Sequence, residues 1–262
     1  MQESPIPSPS IDRAAVLATL AVLCALAWGY LLYMGWGMAH MEVGVDMAIM
    51  PRMVSWQAAD FVLVFVMWAI MMVAMMLPSA VQMILVFNAL GRQTKQARPR
   101  ADVVAFGGGY LAIWTMFSAL ATLAQWKLLE ARLVSPMMEA TSPLMGGTLL
   151  IVAGAYQFTS IKRACLAKCR SPFAFLAAEW RTGFGGAWIM GLRHGVFCLG
   201  CCWPAMLLLF VLGVMNVFWI ATLAAFVLLE KILRDTRWFS AISGGVFIGW
   251  GVALIAGIGP FE

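Results

Sequence analysis

Charge is what this sequence has least of. Of its 262 residues, 11% are Asp, Glu, Lys or Arg and 63% are hydrophobic, with a mean hydropathy of +0.90. A soluble domain carries about 25% charged residues, so this chain cannot cover a water-soluble globule. Histidine is nearly absent, with two in the whole chain. A single intramembrane His supplies at most half of a bis-His haem ligation, which argues against haem. No GxxxxGK[ST] run occurs, which argues against ATP coupling within the chain. Residues 1–12 are polar, rich in Pro and Ser, and lack the basic start of a signal peptide, so they are expected to form a short disordered tail.

What is there is apolar length. A bilayer requires roughly 20 apolar residues per spanning helix. Seven such segments are expected, at about 13–34, 60–90, 103–125, 143–161, 186–212, 217–232 and 239–258. The expected fold is an all-α polytopic transmembrane bundle, one domain over 13–262. The net charge of +5 then belongs in cytoplasmic loops rather than on a nucleic-acid surface. Loops after the second, fourth and sixth segments hold four, five and three Lys or Arg; those after the first, third and fifth hold one, two and none. This alternation predicts a cytoplasmic N-terminus and an outside C-terminus. Small residues such as Gly107, Gly108 and Gly109, or Gly244, Gly245 and Gly249, suit close helix packing in lipid.

The fifth segment carries the strongest chemical signal, His194-Gly-Val-Phe-Cys198-Leu-Gly-Cys201-Cys202-Trp203-Pro204. Steps of three and four keep His194, Cys198, Cys201 and Cys202 on one helical stripe. The rise per residue puts His194 roughly 12 Å and Cys201 roughly 22 Å inside the helix start. An imidazole at that depth faces the bundle interior or a cavity. The competing reading is structural: buried Cys packs as a small apolar residue, and His194 hydrogen-bonds a neighbouring helix.

Cys165 and Cys169 form a second pair at the end of the fourth segment, four residues apart among Lys162, Lys168 and Arg170. Basic neighbours favour thiolate; the alternative is two ordinary loop thiols in a reducing compartment. A third signal is methionine: Met67, Met71 and Met75 share a stripe, with Met72 and Met76 beside it. Thioethers suit Cu(I), although Met also fills irregular helix interfaces. Cys24 reads as core. His40 lies near Met38, Met41 and Met47 in an outer loop and reads as exposed or as part of an outer metal site. Glu230 and Lys231 read as snorkelling to the interface, or as a carboxylate orienting a ligand such as His194.

The ordered pieces Trp68-Ala-Ile-Met71-Met72-Val-Ala-Met75-Met76-Leu-Pro78, Tyr156-Gln-Phe-Thr-Ser-Ile-Lys162, Cys165-Leu-Ala-Lys-Cys169-Arg-Ser-Pro172, His194 to Trp203, Met215-Asn216 and Glu230-Lys231 resemble one known family. It is the bacterial integral membrane family of domain of unknown function 2182, over roughly residues 60–235. The resemblance implies a membrane fold and a predicted metal site, and names no reaction.

The residues themselves point to a soft metal ion. Copper, as Cu(I), comes first, because the donors are Cys, Met and His with no clustered carboxylates; zinc is second, since Cys₃His is an ordinary zinc site. The expected ligands are His194, Cys198, Cys201 and Cys202, with Cys165 and Cys169 as an access or second site and Met71 and Met75 as thioether donors. Whether the two cysteine groups meet is open at this level. The expected role is metal storage, delivery or transport in a bacterial inner membrane, with the lipid bilayer, the metal and further membrane subunits as partners. Two other readings stand: a membrane thiol–disulfide oxidoreductase, and a non-catalytic subunit of a larger complex.

Overall fold

Proline, serine, threonine and asparagine punctuate the apolar runs, and they set the helix ends. The computed structural model describes residues 9–39, 56–94, 99–134, 141–233 and 237–258. Residues 1–8 of the expected tail, and His40, Met41 and Met47, lie outside the described residues. The described fold is all helical apart from turns and one isolated bridge residue. Helix α1 spans Pro9–Ala39, α2 Ala58–Gln93 and α3 Pro99–Glu130. Then come α4 (Pro143–Gln157), α5 (Ser160–Arg170) and α6 (Pro172–Glu179). The chain closes with α7 (Gly183–Leu207), the single turn α8 (Leu209–Leu212), α9 (Val217–Ile232) and α10 (Arg237–Ile255).

All seven expected segments are helical. Among the described residues, five helices are long and apolar enough to cross a membrane, and six if α4 and α5 count as one broken span, in place of the seven spans expected. The break is a 66° bend. Its cause is local: the Thr159 hydroxyl accepts from the Lys162 amide at 3.2 Å, capping a new helix where the sequence suggests the start of a basic loop over 162–182. Helix α9 has 16 residues, about 24 Å at 1.5 Å per residue, short for a full crossing. Asn216 starts it by accepting from the amides of Phe218 and Trp219.

Two helices contain an internal proline, and each leaves the carbonyl four residues earlier without its amide partner. In lipid that carbonyl needs another donor. Pro78 frees Ala74, whose carbonyl accepts from the Trp28 indole of α1 at 3.1 Å. Pro204 frees Gly200, whose carbonyl accepts from the Tyr156 hydroxyl of α4 at 2.5 Å. Each proline therefore pins its helix to a neighbour.

Close backbone contact is confined to a few glycines. A Cβ on Gly109 would strike the Trp188 carbonyl, and one on Gly191 the Phe106 carbonyl, so α3 and α7 touch backbone to backbone. Gly147 and Gly251 do the same for α4 and α10, each 2.6 Å from the other's carbonyl by this measure. Gly244 packs on Phe158, and Gly108 on Trp188. Gly107, Gly245 and Gly249, expected to serve packing, have open space at the Cβ position. The core is α2, α3 and α7; exposed Leu26, Val104 and Phe218 are the outward apolar surface.

Candidate metal centre

Helix α7 delivers its stripe to the centre of the bundle. His194, Cys198, Cys201 and Cys202 are all buried to within 1% exposure. The Cys201 and Cys202 thiols donate to the Cys198 carbonyl at 3.1 and 3.0 Å. Helix α5 folds back along α7 after the bend and brings a fourth thiol. Buried Cys169 lies within hydrogen-bonding reach of Cys198 and Cys201. Cys165, one turn earlier, is half-buried with its Sγ against Gly200, where a Cβ would stand 2.8 Å from it. The two cysteine groups thus meet through Cys169, and Cys165 flanks them. All six cysteines are free thiols.

Lys231, Tyr110 and Ser79, from three other helices, complete the cluster. Lys231 does not snorkel: its side chain is buried, and its ammonium donates to Cys198 Sγ at 3.0 Å and to the Ser79 hydroxyl at 2.7 Å. The Tyr110 hydroxyl of α3 donates to the Met76 carbonyl at 2.9 Å and lies 3.2 Å from Cys198 Sγ. Glu230 does not orient His194. Its carboxylate pairs with the Lys162 ammonium at 2.7 Å, and both side chains are buried. Burial explains the difference, since an ammonium and a carboxylate away from water are tolerable only in partnership.

His194 sits in an aromatic box. Its ring is stacked at 5.4 Å on Tyr110 and 6.1 Å on Phe106, with Phe175 tilted at 5.6 Å. Neither ring nitrogen has a hydrogen-bond partner. Burying a polar nitrogen unpaired costs about 1–3 kcal/mol, and this ring carries two.

Met71 and Met75 are buried in α2. Met75 is about 6 Å and Met71 about 12 Å along the helix from Ser79, so they line the core beyond the turn that meets Lys231. A cavity of about 380 Å³ between α1, α2 and α9 reaches the cluster; Cys24, Ser79, Gln82, Cys169 and Lys231 are on its wall. Cys24 is therefore a half-buried cavity residue rather than core.

Among the described residues, no three His, Cys, Asp or Glu side chains stand as a ready metal cage. The hydrogen bonds give the reason. Two of the sulphurs are turned onto the Cys198 carbonyl, and the Cys198 sulphur itself faces Lys231 and Tyr110. What the arrangement offers is soft donors in quantity, one neutral-capable imidazole and one cation. Thiols and a neutral imidazole are the donor chemistry of Cu(I) and zinc.

Lys231, Tyr110 and Ser79 left no readable signal as a site, because each acts from a different helix. The Glu230-Lys231 pair at an apolar helix end was the one visible hint. No curated protein and no solved structure matches the chain. A family model described as a copper chaperone, PpoB2, matches residues 65–254. That span holds every thiol of the cluster, His194 and Lys231, and on this match the chain belongs to the PpoB2 copper chaperone family.

Proposed function

We propose that this multi-pass membrane protein carries Cu(I) as cargo in the core of its bundle, on thiolates drawn from Cys198, Cys201, Cys202 and Cys169, with His194 as a further donor. The observation that carries this is the convergence of four buried thiols from two helices beside an imidazole with two unpartnered nitrogens. Thiols lose their protons when they take a metal. A copper ion held by two thiolates carries one net negative charge. Lys231, already 3.0 Å from Cys198 Sγ, cancels it in a region of low dielectric. The cavity beside Ser79, Cys169 and Lys231 is the route by which the ion reaches the thiols, and Cys24 is a thiol on its wall. A cluster with no preformed cage suits transient loading and release better than permanent storage.

The test is copper per protein, with the oxidation state of the metal, for parent and variants purified from copper-supplemented cells. Changing Cys198, Cys201 and Cys202 together to Ser should abolish bound copper. His194→Gln should lower it while the fold stays monodisperse. Copper equal to the parent in the triple variant overturns the site. A redox-active dithiol without copper in the parent would favour the oxidoreductase reading instead.

The proposed setting is a bacterial inner membrane with the N-terminus in the cytoplasm. Lys162 and Lys231 are buried and leave the loop count. The loops after the second, fourth and sixth segments then hold four, four and two Lys or Arg against one, two and none, and the alternation survives. Reporter fusions at Lys168 should report cytoplasm and those at Glu139 the outside; the reverse result overturns the orientation.

A further inference from the structure

The bend between α4 and α5 opens a second cleft, about 570 Å³, against the start of α10. Gln157, Lys162, Arg163, Arg170, Arg237 and Ser240 line it. Four of these six are cationic, and none of the residues lining the cleft is acidic. The Glu230 carboxylate, buried beside the cleft residue Lys162, is already taken by it. Helix-end carbonyls hold two of the guanidinium groups: Arg163 donates to the Phe158 carbonyl at 3.2 Å, and Arg170 to that of Leu233. Gln157 is buried, and its carboxamide oxygen has no partner. Phe158 lines the cleft, and Ile161 and Trp238 adjoin lining residues in the chain; they are 47%, 64% and 54% exposed, apolar surface in a protein that spans a bilayer.

Fixed guanidinium groups bind phosphate by paired N–H donors, and basic pockets between spanning helices take anionic lipid headgroups. An unpaired buried carboxamide oxygen calls for a donor from the same ligand, such as a hydroxyl. We propose that this cleft binds the headgroup of an anionic, hydroxyl-bearing phospholipid. Arg163, Arg170 and Arg237 take the phosphate, Gln157 accepts from a headgroup hydroxyl, and the acyl chains lie on the apolar surface of Phe158, Ile161 and Trp238. Such a lipid ties α4, α5 and α10 together at the bend that aims Cys165 and Cys169 inward. The inference is independent of whether the thiols hold copper.

The probe is phosphatidylglycerol, offered with an equal amount of phosphatidylcholine to the delipidated full-length protein in neutral detergent and read by native mass spectrometry. One phosphatidylglycerol should be retained in preference to phosphatidylcholine. Arg163→Gln with Arg237→Gln should weaken retention about thirtyfold, from about 1 kcal/mol per basic residue near a membrane surface. Millimolar inorganic phosphate should not displace the lipid; displacement, with the same thermal stabilisation by phosphate alone, overturns the lipid in favour of a soluble phosphate. Equal retention of both lipids by the parent overturns the proposal, and that comparison decides the matter even where the double variant fails to fold.

Discussion

Glu230 and Lys231 are neighbours in the sequence, and each stands at the centre of a buried polar cluster. Glu230 meets Lys162 at 2.7 Å, one negative and one positive group, both buried. That pair is closed in charge: one ammonium cancels one carboxylate. Lys231 meets a thiol at 3.0 Å, with three more thiols and an imidazole behind it. That cluster is open, since its charge depends on how many thiols have lost protons, and both imidazole nitrogens are unpaired. Equal and opposite charges in lipid hold helices in register. An excess of ionisable soft donors around one cation is suited to taking up a soft cation. One residue step along α9 separates scaffold from site.

Breaking the closed pair should have the largest effect. Lys162→Met or Glu230→Gln alone strands a buried charge, at about 3–5 kcal/mol. Unfolding in detergent should show that loss for either single change and recovery towards the parent in the Lys162→Met, Glu230→Met double variant. Copper content of the double variant should match the parent. If the double variant folds but holds no copper, the two clusters are one site and the contrast fails.

The open cluster should respond the other way. Lys231→Met removes the cation that offsets a copper–thiolate unit without removing a donor. Supporting groups of this kind are worth about 10–100-fold in metal affinity. Competition with a Cu(I) chelator should show that loss. Unchanged copper affinity with a large loss of stability would make Lys231 a structural group like Lys162.

Much of this was legible in the chain, for reasons that differ by residue. Apolar runs and their proline, asparagine and serine starts gave the helices, because in lipid the backbone has no alternative. The α7 stripe was legible because three- and four-residue steps fix a face. Cys169 was not assignable, since its approach depends on a 66° bend at Thr159 that hydropathy does not register. Lys231, Tyr110 and Ser79 were illegible as a group because their separation in sequence carries no period. Glu230 misled, because a carboxylate beside a lysine looks interfacial until Lys162 is found opposite. The methionine stripe was visible and ambiguous, and Met71 and Met75 prove to be deep in the core.

The smallest effect should come from the proline pins, and it separates the geometry of the site from its chemistry. Pro204 lies two residues past Cys202, and the carbonyl it frees, on Gly200, lies between Cys198 and Cys201. Tyr156 satisfies that carbonyl at 2.5 Å. Pro78 is the matching case in α2, where Trp28 satisfies Ala74 at 3.1 Å. Interhelical hydrogen bonds in membranes are worth about 0.6 kcal/mol, so Tyr156→Phe and Trp28→Phe should each lower the unfolding free energy in detergent by about that much. The phenylalanine keeps most of the packing in both, which leaves the hydrogen bond as the main loss. Copper content should be unchanged in both, because neither hydroxyl nor indole donates to a thiol. A loss of copper in Tyr156→Phe alone, at equal stability cost, would show that the pin at Pro204 sets the spacing of the thiols. The open cluster would then be shaped by its scaffold as well as charged by Lys231.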